Sequence, residues 1–332
     1  MDFWERLLEP FPGESFLEST PCPSCRAAAA EELGPLGPQS LKRCAACALV
    51  YESPRLSGAA REAMYRQNPG AMDAGLDAML RRLMTERCGN MRREMFPSAA
   101  PAGTPGSGSL FEIGSGWGHF LDVSRPHFAQ VAGAELAREQ AGHARKAFGL
   151  EISESDIFAA PDVPKHDVIA AWELIEHVPD PARVLAWAFA NLRSGGQLAL
   201  STPNFDSLYR RLLGPHWFYH IPTQHLTYFS PATMKTLLLK LGFAEVRVFT
   251  SGRSLMRERA NAHNRVTPGL DVRGQWMENL RIRDAIERER DSVSLDRSTL
   301  PKRVWHGLVW RLVNPLLTRG FGDQMRVYAR KA

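Results

Sequence analysis

The segment LFEIGSGWGHF, residues 110–120, sets Gly114, Gly116 and Gly118 at alternate positions between an apolar run and the start of a helical pattern. Such a turn lets backbone N–H groups approach a polar or charged ligand with no Cβ in the way. The chain around it is equally restrictive. Short apolar runs recur at 110–114, 131–136, 150–155, 167–172 and 197–202, separated by helical patterns near 118–130, 137–148 and 181–193. Strand and helix in regular alternation predict an α/β fold, a doubly wound parallel sheet with helices on both faces. SPATMKTLLLKLGF predicts a further helix, with Ser230 as N-cap, Pro231 in the first turn and a stop at Gly242. AEVRVFT (244–250) and QMRVYAR (324–330) bring the expected strands to seven.

The loop departs from the dinucleotide pattern G-x-G-x-x-G, because His119 occupies the third glycine position. Two acids complete a different site. Glu135 ends the second strand, 17 residues after Gly118, where a carboxylate accepts hydrogen bonds from vicinal ribose hydroxyls. Asp156 comes after the third strand, placed to hold an exocyclic amine of adenine. Loop and acids together describe a nucleoside site without a pyrophosphate.

Four of the five cysteines form two pairs, Cys22/Cys25 and Cys44/Cys47, in the pattern C-x2-C-x18-C-x2-C. That spacing is expected of a zinc ribbon, in which two tight turns offer four thiolates to one tetrahedral ion. Four protein ligands leave no open position, so the metal reads as structural Zn2+. Arg26, Lys42 and Arg43 are expected to offset the charge of the thiolates. Cys88 falls on the apolar face of a helix expected over 71–96, with an interruption at Gly89-Asn90, and reads as a buried small hydrophobe. Residues 97–109, PSAAPAGTPGSGS, have almost no large side chain and read as a linker. The expected organisation is a ribbon and lead-in over 1–60, a helical connection over 61–96, that linker, and a main domain over 110–332 with a helical insertion at 251–323.

With 44% hydrophobic and 23% charged residues, the chain is neither a disordered chain nor a coiled coil. No uncharged apolar run approaches the roughly 18–20 residues of a membrane span, and the start MDFWERLLEP lacks the pattern of a signal peptide. A cytoplasmic location is the expectation. Net charge is +5, yet the stretch 253–331 alone holds 17 basic and 9 acidic residues. Its signs alternate, as in RIRDAIERERD, which favours a solvated helix face over a nucleic-acid stripe.

FEIGSGWG, AELA, SDIF, HDVIAAWELIEHVPDP and LRSGGQLALSTPN resemble, in order and spacing, the motifs of the class I, seven-stranded S-adenosylmethionine-dependent methyltransferases. The resemblance implies a Rossmann-like, mostly parallel seven-stranded sheet whose last strand inserts antiparallel between the fifth and sixth. It implies S-adenosyl-L-methionine as cofactor, with its methionine part at Glu112, Gly114, Gly116 and Gly118, its ribose at Glu135 and its adenine at Asp156. Trp172 and Glu173 would lie beside the methionine part and the transferred methyl. The paired cysteines ahead of this core resemble bacterial methyltransferases with a zinc-ribbon front, many of which act on sugars, lipids, glycans or secondary metabolites. HWFYHIPTQHLTYF is similar to a segment of sugar C-methyltransferases, in which a His before a Tyr-Phe pair is the base; His225 matches it, with Gln224 where Glu is common.

Methyl transfer is an in-line displacement that needs an aligned acceptor and, for a hydroxyl or carbon acid, loss of its proton. His225 and His177 are the candidate bases, with His220 and Tyr219 behind them, and Glu176 is placed to orient a histidine or cap the next turn. Trp217, Phe218, Tyr219, Tyr228 and Phe229 read equally as pocket wall or core. The expected partner is a small-molecule, sugar, glycan or lipid-type acceptor. The rivals are an RNA or other nucleic-acid methyltransferase and a ribbon scaffold without catalysis. AWEL, where enzymes acting on base amines carry N-P-P-Y or D-P-P-Y, counts against the first.

Overall fold

The computed structural model describes residues 9, 15–36, 39–66, 72, 74–95, 107–159, 164–214, 217, 219–221, 223–251 and 317–332. Most of the expected linker (97–106) and of the expected insertion (252–316) lies outside them.

Among the described residues, the front of the chain holds five short strands: β1 (Leu17–Glu18), β2 (Ala30–Leu36), β3 (Gln39–Cys44), β4 (Val50–Glu52) and β5 (Arg55–Leu56). Two helices come next, α1 (Gly58–Arg66) and α2 (Ala74–Met95). The rest alternates: β6 (Ser109–Ile113), α3 (His119–Ser124), β7 (Gln130–Ala134), α4 (Arg138–Phe148), β8 (Glu151–Ser153), β9 (His166–Trp172), α5 (Pro181–Asn191) and β10 (Leu192–Pro203). It closes with α6 (Leu208–Leu213), β11 (Thr227–Tyr228), α7 (Pro231–Lys240), β12 (Phe243–Ser251) and β13 (Gln324–Lys331).

Seven strands form the main sheet in the order β12-β13-β10-β9-β6-β7-β8. Strands β6 to β10 pair in parallel, while β13 runs antiparallel to both β10 and β12, between them. This is the expected insertion of the last strand between the fifth and sixth. The order reverses about β6, so the loops after β6 and β9 open a crevice at the C-terminal edge, where open α/β sheets bind ligands. Helix α7 begins with a capping box between Ser230 and Thr233, with Pro231 at its first turn.

Two helices differ from expectation. Helix α2 runs unbroken through Gly89-Asn90. Arg93 donates to the Asn90 side chain one turn back, and the buried Arg87, Cys88, Met91 and Met95 hold this half of the helix down. Helix α3 is shorter than 118–130, since the chain tightens into a 3₁₀ turn at Arg125–His127 around Pro126. Cys88 is buried as expected, with the Ser124 hydroxyl 3.6 Å from its sulfur.

The ribbon is not a free appendage. Its sheet, β11-β4-β3-β2, takes an edge strand from beyond β10, with Thr227 opposite Tyr51 and Tyr228 opposite Val50. Cys22, Cys44, Leu49 and Tyr51 share one buried cluster with Ile175, Leu200 and Phe229 of the main domain. Trp217, Tyr219 and Tyr228 pack with Leu41, Val50 and Phe205, so these aromatics are core joining ribbon to sheet. Phe218 lies outside the described residues. No helix among the described residues is long and apolar enough to cross a membrane.

Candidate active site and metal centre

Each cysteine pair closes a tight turn. The N–H of Arg26 donates to Cys22 O, the N–H of Ala48 donates to Cys44 O, and both Arg26 and Ala48 take a left-handed backbone (φ 67° and 61°). The repeated geometry turns two sulfurs of each pair toward the other pair. Sγ of Cys22 lies 3.5 Å from that of Cys47, and Cys25 is 3.5 Å from Cys44. All four sulfurs fall within 4.8 Å of one another. Sulfurs at about 2.3 Å from a tetrahedral ion stand roughly 3.8 Å apart, so the group fits zinc. Burial resists ionisation of the Cys44 thiol, but the N–H groups of Cys47 and Ala46 and the neighbouring thiols bring it down to about 7. Burial pushes Cys22 up to about 11 and Cys47 higher still. A dication at the centre removes that resistance. Two of the three expected cations are committed elsewhere: Arg26 pairs with Asp180 and Arg43 with Glu31.

At the glycine loop, Gly114 and Ser115 donate their N–H groups to Ala134 O, fixing the turn against β7. Glu135 is built into the turn, accepting from the N–H of Gly116 and of Ala137 at 2.8 Å each. Glu112 is buried beneath it with Oε2 lacking any hydrogen-bond partner, and burial pushes its carboxyl well above the usual range. A buried carboxyl oxygen left without a partner is costly, and a bound ammonium group would answer it. Gly116 (φ 52°) is loosely surrounded, the nearest atom to a Cβ there being Gln140 Oε1 at an ordinary contact distance of 3.8 Å. Gly118 is set by packing instead, since a Cβ would lie 2.7 Å from that of Ala144. Asp156 is exposed, and its Oδ1 accepts from the N–H of Phe158. This lining suits a nucleoside sulfonium: an unpartnered acid, a bare turn and an acid at the end of β7.

Strand β9 ends at Trp172, which packs edge-on against Phe120 and lies under the Arg87 guanidinium, 5.2 Å from the ring centre. Glu173 takes a left-handed backbone (φ 48°) and accepts from Arg87, Ser201 and Gln324, so its carboxylate is fully engaged. Leu174 then abuts Gly114, bringing the next residues beside the glycine loop. Glu176 is buried, with the Thr202 hydroxyl donating to Oε2 at 3.0 Å and Oε1 without a partner. The helix after it is capped by Asp180, whose side chain accepts from the N–H of Arg183.

The loop before β11 brings the second histidine to this point. Leu226 and Thr227 donate their N–H groups to Glu176 O, holding the two segments together. The rings of His177 and His225 meet edge to face with centroids 4.7 Å apart. Nδ1 of His177 lies 3.0 Å from Gln224 O, and Nδ1 of His225 lies 2.9 Å from Tyr219 O. A carbonyl only accepts, so both Nδ1 atoms carry the proton and both Nε2 atoms carry a lone pair. Burial holds both imidazoles below the usual histidine range, and His177 adds to the effect on His225. His220 is buried among the rings of Trp217 and Tyr228 instead.

Two contributors carry no signal strong enough to single them out in the sequence. Arg87 reaches Glu173 from α2 at 3.2 Å. Glu52, buried in β4, accepts from the N–H of Thr223, while its own N–H donates to Leu226 O at 3.0 Å; it thus clasps both sides of His225. A lone acid in the apolar run LVYE is the one hint the sequence offers.

The family model described as "Methyltransferase domain" matches residues 80–248, half of the chain. The chain belongs to this methyltransferase family. Its domain has the class I, S-adenosylmethionine-dependent architecture, with a four-cysteine ribbon in front. Among curated proteins, the ubiquinone biosynthesis O-methyltransferase of Aeromonas salmonicida is 34% identical over 113 residues, 30% of this chain and 48% of that protein. The protein of the same name from Coxiella burnetii is 26% identical over 121 residues, 34% of this chain and 51% of that protein. The methyltransferase chain thus spans about half the length of the curated relatives it matches. Among solved structures, a SAM-dependent methyltransferase from Archaeoglobus fulgidus aligns at 19% identity over 76% of this chain and 94% of that one, TM-score 0.46. The SAM-bound amino pentose methyltransferase CalS10 from Micromonospora echinaspora aligns at 19% identity over 40% of this chain and 58% of that one, TM-score 0.31.

Proposed function

We propose that the protein transfers the methyl group of S-adenosylmethionine to an oxygen of a small hydroxylated acceptor, of the sugar, glycan, lipid or aromatic type. The observation that carries this reading is the juxtaposition of Glu176, His177 and His225, with each imidazole Nδ1 facing a backbone carbonyl and so carrying the proton. Glu176 and His177 come two and three residues after the Leu174 that abuts Gly114. The O-methyltransferase name of the curated relatives favours oxygen as the target.

S-adenosylmethionine, when bound, supplies an electrophilic methyl on a sulfonium. The chain's own residues do the rest. Gly114, Gly116 and Glu112 hold the methionine end, Glu135 the ribose and Asp156 the adenine. Gly118 seats the helix that closes the turn. Trp172 and Glu173 shape the wall next to the methyl, with Glu173 steadied by Arg87. His225 and His177 activate the acceptor, whose hydroxyl must lose its proton as the new bond forms.

The test is release of S-adenosylhomocysteine from the full chain with panels of phenols, catechols, glycosides and lipid-linked sugars. Acceptor-dependent release is expected, reduced about 10²–10⁴-fold by His225→Ala. No release with any hydroxylated acceptor, or release with bulk RNA alone, overturns the reading.

Glu112 gives a separate prediction. Burial raises its folded-state pKa, so the free protein keeps the Glu112 proton to higher pH than an ordinary carboxyl does, and a bound ammonium would favour its loss. Affinity for S-adenosylmethionine should therefore rise with pH until Glu112 is ionised in the free protein. Calorimetry in buffers of different ionisation enthalpy should show a proton released on binding. In Glu112→Gln the release should vanish and the affinity fall about tenfold; a proton count unchanged by that substitution would refute the assignment.

A further inference from the structure

The turn that carries His225 holds one residue out of its ordinary conformation. The N–H groups of Gln224 and His225 both donate to Ile221 O, at 3.3 and 2.9 Å, closing residues 221–225 into one tight turn. Thr223 at its centre has φ 74°, in the left-handed region that a β-branched side chain rarely enters. Its buried hydroxyl has no hydrogen-bond partner among the described residues, so the side chain does not hold this conformation itself. Its N–H donates to the carboxyl of Glu52 instead, at 3.2 Å to Oε2 and 3.4 Å to Oε1. We propose that Glu52 is a positioning residue of the transferase site. It pins Thr223 in the strained conformation, and so presents His225 in the tautomer that leaves Nε2 to the acceptor.

Glu52 brackets His225 in two ways. Its own N–H donates to Leu226 O at 3.0 Å, while its side chain takes the N–H of Thr223. The first bond belongs to the backbone of β4 and needs no particular side chain. The second needs an accepting oxygen at the reach of a glutamate, placed where water cannot attend it. Glu52 is 1% exposed, and burial pushes its carboxyl well above the usual range against the pull of Arg55 and Arg61. A buried acid aimed at the N–H of a strained residue marks a conformation held for use. That use lies two residues on, where Nδ1 of His225 meets Tyr219 O at 2.9 Å and its proton is fixed there.

The side chain can be tested apart from the backbone. In Glu52→Leu the bond from residue 52 to Leu226 O persists, while the N–H of Thr223 is left buried without its acceptor, a costly state that the turn escapes by changing φ at Thr223. The chain between Tyr219 and His225 then takes another path, and Nδ1 loses its carbonyl. Glu52→Gln keeps an accepting oxygen at the same reach, and a carboxyl whose ionisation is resisted by burial is closely matched by a neutral amide. Thr223→Gly removes the need for the pin, because glycine enters the left-handed region without a Cβ clash.

The inference rests on the transferase reading for its purpose, yet its first readout needs no acceptor. In full-length, zinc-loaded protein with isotope-labelled histidine nitrogens, magnetic resonance reports the tautomer of each ring, and His225→Gln assigns the signals of His225. The proton is expected on Nδ1 of His225 in the parent and in Glu52→Gln, and shared between the ring nitrogens in Glu52→Leu. With an accepted substrate, kcat should fall about 10²-fold in Glu52→Leu and stay within about threefold of the parent in Glu52→Gln. The same leucine placed in the Thr223→Gly protein should cost less than about tenfold, because glycine needs no pin. Where the leucine chain fails to hold zinc, Glu52→Asp, one methylene short of the Thr223 N–H, is read in its place with the same expectations. An unchanged tautomer in the leucine variant overturns the proposal and leaves the transferase reading intact. So does a glutamine as damaging as leucine, or a leucine penalty equal with threonine and with glycine at 223. The expected change of tautomer without methylation of any hydroxylated acceptor upholds the pin and removes the transferase reading.

Discussion

Cys44→Ser is expected to abolish tetrathiolate metal binding and, at a distance, to lower methyl transfer by about 10²-fold or more. Cys44 sits at the end of β3, is buried, and has the lowest pKa of the perturbed ribbon thiols. A serine oxygen there breaks the four-sulfur shell, and a ribbon held by its ion loses structure when the ion leaves. The effect reaches the site through β4. That strand pairs with β11, and Glu52 at its end holds the backbone of Thr223 and Leu226 on either side of His225. A misplacement of about 1 Å at a reacting group costs on the order of 10²-fold in rate. The glycine loop follows β6 and is bonded to the end of β7, and neither strand pairs with the ribbon sheet, so affinity for S-adenosylmethionine should stay within about threefold of the parent. Cobalt-substituted protein reports the first effect by loss of its thiolate-to-metal charge-transfer band. Hydrogen exchange over residues 223–228 should accelerate in parallel. Full turnover in the variant, with that band gone, would mean that the ribbon does not support the site.

This dependence shows where the sequence was legible and where it was not. The main sheet was readable because each feature is local. Strand runs alternate with helical periodicity, Ser230 and Pro231 announce α7, and three glycines mark the turn after β6. The cysteine spacing was readable for the same reason, two short turns each completed within four residues. What escaped were contacts between segments far apart in the chain. Nothing around Glu52 states that its carboxylate meets Thr223, 171 residues later, nor that β11 would join the ribbon sheet. Arg87 reads as one more charge on a helix, and only packing of α2 over Trp172 turns it toward Glu173. The two histidines were each legible as candidates, but their meeting at 4.7 Å depends on backbone bonds between the loops that carry them. The aromatic run 217–229 is ambiguous by composition, because an apolar side chain serves a pocket wall or a core alike. Burial beneath the ribbon decided for core.

Gly116→Arg should remove S-adenosylmethionine binding while the protein stays folded. The two outer needs of the loop are separable in this structure. At Gly116 an added Cβ would make one ordinary contact, with Gln140 Oε1 at 3.8 Å, so at that atom the fold bears only the strain of a left-handed backbone. That strain costs about 1–2 kcal/mol. The arginine itself would stand where the bare turn admits a ligand, and its charge would oppose a sulfonium and an ammonium. A loss of at least a hundredfold in affinity is expected, about 2.7 kcal/mol. Gly118→Ala should do the opposite. Its methyl would lie 2.7 Å from Ala144 Cβ and 2.8 Å from Leu150 Cδ1, forcing α3 away from α4 and the start of β8. Overpacking of this kind costs about 1–3 kcal/mol, which thermal melting should register. Calorimetry and melting on both variants therefore divide the glycines by cause. An arginine at 116 that leaves affinity intact would place the ligand away from this turn. An alanine at 118 that melts like the parent would show that α3 yields where its packing predicts that it cannot.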